Sequence, residues 1–102
     1  MKYYVSVTPG PVPPAPEQFD AAVSWVEGKI NDGTLDCAFG FLKGGGFSVT
    51  NADSHRDLFE MMADYPLYGL VTWEVHPLLE FKEATETERA KLVEAQAAMA
   101  GR

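Results

Sequence analysis

TLDCAFGFLKGGGFSVTN, residues 34–51, decides the fold. Leu35, Cys37, Phe39 and Phe41 recur at every second position, with Ala38 and Gly40 between them. FSVTN, residues 47–51, alternates again, and the KGGG between the two runs is a turn signal. Two alternating runs joined by a glycine-rich turn predict a β-hairpin.

Outward from the hairpin, each side offers a helix and then a strand. On the N-terminal side, Phe19, Val23, Val26 and Ile30 recur at three- and four-residue spacing, an apolar stripe that predicts a helix over 17–32. Gly33 is its stop. PGPVPPAP, residues 9–16, holds five prolines and excludes helix and central strand. A polyproline ligand for an SH3-like groove is one reading of it; a stiff connector into the helix is the favoured one. KYYVSVT, residues 2–8, is strand one.

On the C-terminal side, Asp53 or Ser54 caps a second helix running to about Tyr65, where Pro66 ends it. GLVTWEVHP, residues 69–77, is a fourth strand. Thr85 with Glu88 forms a capping-box pattern that opens an alanine-rich helix over 86–99. The order β-α-β-β-α-β predicts an α+β ferredoxin-like sandwich with a C-terminal helix, as one domain over 1–102.

Strand parity then divides the side chains. Val5, Val7, Phe39, Phe41, Phe47, Val49, Val71, Trp73 and Val75 are assigned to an apolar face under both helices. Tyr4, Ser6, Thr8, Ser48, Thr50, Thr72, Glu74 and His76 are assigned to the opposite face. That second face lacks the charge ladder of a sheet left in water. A second copy of the chain is the simplest cover for it, so a homodimer or higher homo-oligomer is expected.

Composition narrows the partners. The chain has 102 residues, 46% of them hydrophobic and 23% charged, which suits one globular core. A net charge of −7 argues against nucleic acid and anionic membrane surfaces. Cys37 is the one cysteine, which fits a reducing compartment; by parity it is read as core. No signal peptide or membrane-spanning run is read, so a cytoplasmic protein is expected. Two histidines and one cysteine at no ligand spacing suggest no metal site, and nothing calls for a cofactor. KGGG lacks the following Lys-Ser/Thr helix of a phosphate loop.

The stretch GGGFSVTNADSHRDLFEMMADYPLYGLVTWEVHPL, residues 44–78, resembles muconolactone isomerase-like proteins. The marks are Pro66-Leu67-Tyr68 and Glu74-Val75-His76-Pro77-Leu78; the first half of the chain matches in topology alone. The resemblance implies a dimeric α/β barrel in which two sheets face each other and enclose pockets. It implies Glu74 as a functional residue. Two departures stand against the isomerase substrate itself. LDCAFGFLKGGGF replaces a polar second strand and hairpin, and Thr72 replaces an acid.

Glu74 is accordingly the candidate general base. Shifting a double bond beside a carbonyl takes a proton from one carbon and returns it to another, which a carboxylate of suitably raised pKa can do. His76, on the same face, is the candidate relay. Tyr4, Ser6, Ser48, Thr50 and Thr72 are candidate substrate-binding residues, with Lys43 as an anion contact at the pocket mouth. His55 is read as exposed, and Trp25 as a contact to a partner chain or to the last helix. The expected function is cofactor-independent isomerase- or cyclase-type proton transfer on a small lactone or polyketide-like carbonyl compound. The alternatives are a non-catalytic small-molecule-binding or accessory protein, or a cofactor-free monooxygenase.

Overall fold

The computed structural model describes residues 1–101. Four strands, β1 (Lys2–Pro9), β2 (Leu35–Gly40), β3 (Gly46–Asn51) and β4 (Val71–Leu78), form one antiparallel sheet in the order β2-β3-β1-β4. Helices α1 (Pro16–Asn31) and α2 (His55–Asp64) are the two crossovers. This is the ferredoxin-like α+β sandwich, and α3 (Phe81–Ala100) follows it.

Local chemistry sets the boundaries. Pro16 occupies the first turn of α1, and the Ala15 N–H donates to Gln18 Oε1 in place of a helical carbonyl. Gly33, at φ 83°, takes the left-handed turn after the helix. Ser54 Oγ accepts the Asp57 N–H at the start of α2. A single 3₁₀ turn, Tyr68–Leu70, leads into β4. β4 runs through Pro77, which an edge strand tolerates because it pairs on one side alone. The last helix begins at Phe81, not at 86. Thr85 caps nothing; its hydroxyl donates to the Lys82 carbonyl inside the helix.

The hairpin has the predicted turn but not the predicted faces. Gly44 and Gly45 have φ of 97° and 77°, and a Cβ on Gly45 would stand 2.1 Å from the Val7 carbonyl oxygen. Register pairs Tyr3 with Thr50, Val5 with Ser48 and Tyr4 with Val49. Directly opposed residues share a face. Ser48 and Thr50 therefore lie on the helix side with Val5 and Trp73, while Phe47 and Val49 lie on the open side with Tyr4 and His76. On β2, Leu35 pairs with Thr50 but Cys37 pairs with Val49, so Asp36 is an extra residue, a β-bulge. The bulge breaks the alternation. Leu35 is buried under α1, whereas Cys37 and Phe39 turn to the open face and Phe39 is 63% exposed. Cys37 is thus not a core residue.

Tyr3, Val5 and Leu58 form the packed core, flanked by Met61, Met62 and Trp73. His55 is exposed, as expected, and its Nδ1 lies 2.6 Å from the hydroxyl of buried Tyr3. α3 stands away from this body. The radius of gyration is 18.4 Å, against about 13 Å for a compact chain of this length. Phe81, Leu92, Val93 and Met99 of α3 are all exposed.

Candidate functional site

The sheet presents two very different surfaces, and an apolar opening lies on the helix side. There, α1 carries Phe19, Val23, Val26 and Ile30 above a floor of Ala38, Gly40, Gly46 and Ser48. Bulky residues above and small ones below cannot close on each other, and a cavity of about 560 Å³ remains. That volume falls within the range of small-molecule sites. Val5, Val7 and Trp73 form its inner wall, and Met61, Met62 and Tyr65 of α2 its far side.

Few polar groups reach this cavity. Ser48 Oγ and Thr50 Oγ1 are 2.8 Å apart, with Thr50 fully buried. One hydroxyl donates to the other, which leaves one O–H hydrogen of the pair for a ligand. Tyr65 packs edge-on against both Trp25 and Trp73, and burial raises its phenol pKa. It therefore stays protonated, a hydrogen-bond donor across the neutral range. The Trp73 indole N–H is satisfied by the Tyr68 carbonyl at 3.0 Å. Trp25 lines the cavity beside Tyr65. Glu27 is the one charged residue among the described lining residues.

The open face gathers the other candidates. Tyr4, Ser6, Thr72, Glu74 and His76 lie there, with Tyr4 opposite His76 and Ser6 opposite Glu74. Glu74 Oε1 and His76 Nε2 are 2.7 Å apart, and both side chains are more than half exposed. Tyr4 stacks on Phe47, which also stacks on Phe39 and Phe41; Lys43 Nζ sits over the Phe41 ring. The result is an aromatic row ending in a carboxylate–imidazole pair.

The predicted site residues therefore divide across the sheet: Ser48 and Thr50 face the cavity, and the remainder do not. Alternation in β3 is visible in the sequence, but the direction of its faces is set by its register with β1, and that of the β2 faces by the bulge at Asp36. The cavity, Tyr65 and Glu27 were missed. A usable signal was present, because small residues at 38, 40, 46 and 48 face a bulky helix stripe. Among the described residues, no group of three or more His, Cys, Asp or Glu could hold a metal ion. No helix among them is long and apolar enough to cross a membrane.

A family model described as a domain of unknown function, DUF3303, matches residues 1–92. The chain belongs to the DUF3303 family. No curated protein matches this DUF3303 chain. Among solved structures it is similar to a muconolactone isomerase, with TM-score 0.69, 20% identity, and coverage of 78% of this chain and 90% of that one. It is also similar to the 5-chloro-2-hydroxyhydroquinone dehydrochlorinase TftG of Burkholderia phenoliruptrix AC1100, solved in complex with 2,5-dihydroxybenzoquinone. There the TM-score is 0.64 and the identity 14%, covering 81% and 98% of the two chains. At these identities the shared property is the fold, so the predicted muconolactone isomerase-like architecture stands for the DUF3303 chain.

Proposed function

We propose that this chain binds a small, largely apolar carbonyl compound in the helix-side cavity. The cavity of about 560 Å³, apolar except for a hydroxyl pair, a phenol and one carboxylate, carries this reading. Apolar walls supply affinity through area removed from water, roughly 25 cal/mol per Å². The Ser48–Thr50 pair and the Tyr65 phenol supply donors for a carbonyl oxygen. NMR amide shifts on titration with a neutral aromatic ketone test it. Shifts clustered at Val5, Val23, Ser48 and Trp73 are expected. Shifts confined to Tyr4, Glu74 and His76, or none at all, sink it.

A second reading places cofactor-independent proton transfer on the open face, with Glu74 as base and His76 as relay. The 2.7 Å Glu74–His76 pair beside Tyr4 favours it. So do the names of two proteins with this fold, an isomerase and a dehydrochlorinase. Tyr4, Ser6, Thr72 and Lys43 are the binding residues in that case. The pair is exposed in one copy, so this chemistry needs a second copy over the face to exclude water. Exposed Phe39 and Leu78 on that face support a homodimer formed there. Once a substrate is in hand, Glu74→Gln should lower turnover at least a hundredfold on this reading and leave cavity binding intact. Full turnover in that variant rejects Glu74 as base.

A further inference from the structure

We infer that the helix-side cavity selects uncharged ligands and rejects carboxylates, with Glu27 at its rim setting that preference. The inference rests on the cavity being the ligand site. Its support is the charge of the lining: among the described lining residues there is no Lys, Arg or His, and one carboxylate, Glu27 of α1. A carboxylate drawn into an apolar cavity loses water and requires a cation or several donors in exchange. Here the side-chain donors among the lining residues are one hydrogen from the Ser48–Thr50 pair, the phenol of Tyr65 and the indole N–H of Trp25, since that of Trp73 is taken by the Tyr68 carbonyl. These suit a carbonyl or hydroxyl group and are too few for an anion.

Lys29 does not repair this. It lies one helical turn from Trp25, with its Nζ 5.4 Å from the indole centroid. It borders a separate polar hollow that it shares with Asp32, Asp53 and Asp57, not the apolar cavity. Glu27 meanwhile adds repulsion at the entrance, and the net charge of −7 adds more at low ionic strength. The substrate class is therefore a neutral ketone, lactone or quinone-type ring compound, in preference to an aromatic or lactone acid.

The test uses one ring system with three charges: 2-acetylnaphthalene, 2-naphthoate and 2-naphthylmethylammonium. Each is titrated calorimetrically into the full chain at low salt and at 0.5 M salt. The ketone should bind at least tenfold more tightly than naphthoate, with the ammonium no weaker than naphthoate. Glu27→Lys should raise naphthoate affinity several-fold at low salt, leave the ketone within twofold, and lose that gain at high salt. Glu27→Gln should fall between. Glu27 is an exposed helix residue, so all three proteins should melt alike. Naphthoate binding as tightly as the ketone to the unaltered chain overturns the inference. An unchanged naphthoate-to-ketone ratio in Glu27→Lys removes Glu27 from it. If no probe binds, or if the ketone binds with NMR shifts on the open face, the cavity reading fails and the charge rule falls with it. Ketone affinity that vanishes as protein concentration rises means that a second copy fills the cavity, and also overturns the proposal.

Discussion

The two faces of this sheet are built from neighbouring residues and do opposite things. Val5, Val7 and Trp73 look into an apolar cavity; Ser6, Thr8, Thr72 and Glu74, one step along the same strands, look out on the open side. Helix packing closes part of the first face and leaves a receptive hollow. The second face has no helix, so its aromatic row and its Glu74–His76 pair meet water or another molecule. A pleated strand separates an apolar surface from a polar one by a single residue, so register decides what each side chain can do.

The largest effect should come from the core beneath the helices. Leu58 is buried against Tyr3 and Val5, and Leu58→Ala should destabilise the fold by about 2–5 kcal/mol in denaturant titration. Phe47→Ala removes a ring from the open face instead, where it stacks on Tyr4, Phe39 and Phe41. In a dilute monomer it should cost clearly less than Leu58→Ala. Equal losses would mean that the open face is a core in its own right, and the contrast between the faces would dissolve.

Phe39→Glu addresses the same contrast through association. Placing a carboxylate on the exposed end of the aromatic row should shift the chain toward monomer in sedimentation equilibrium. An oligomer that survives this substitution is held elsewhere. The exposed apolar residues of α3, Leu92, Val93 and Met99, are the alternative contact.

His76→Ala comes next in size. The Glu74–His76 pair is exposed, and exposed ion pairs are worth about 0–1 kcal/mol. Its loss should barely move the urea midpoint. A loss beyond about 2 kcal/mol would place the pair in a buried interface between copies.

Much of this fold was legible because its signals are local. The α1 stripe, the Ser54 cap, the KGGG turn and the strand-rich ends each report on neighbours a few residues away, and their order determines the topology. Alternation within β1 and β4 also placed Glu74 with Tyr4 and Trp73 with Val5 correctly. The hairpin failed for a non-local reason. The apolar residues Phe39 and Phe47 were assigned to the helix side because that is where apolar residues usually go. The helix side is instead floored by Ala38, Gly40 and Ser48, and only the pairing of β3 with β1 and β2 reveals it. The helix at 81–85 was missed because Phe81 and Glu80 offer no cap. The cavity was not legible, since a cavity is made by elements distant in sequence.

The register itself can be probed at Asp36, where the smallest effect is expected. Asp36 is the additional residue of the β2 bulge, and its carboxylate bonds to Lys2 Nζ and, at 2.7 Å, to Asn51 Nδ2. Lys2 also donates to Asn51 Oδ1 at 2.9 Å, so β1, β2 and β3 are tied at one end. Hydrogen bonds from Lys2 and Asn51 hold the Asp36 pKa below its ordinary value of 3.8. A carboxylate with a depressed folded-state pKa stabilises the fold above its unfolded value. It loses that contribution as pH falls through the lower folded value. Asp32 behaves alike through its bonds from Thr34, so the acid limb is shared. Asp36→Asn should therefore lower stability slightly at pH 7 and not at all near pH 2, flattening the acid limb of the melting curve without abolishing it. An undiminished acid limb would mean that Asp36 does not hold the bulge. In that case its pairing with Lys2 follows from the register, and the turn glycines alone decide which face the hairpin aromatics take.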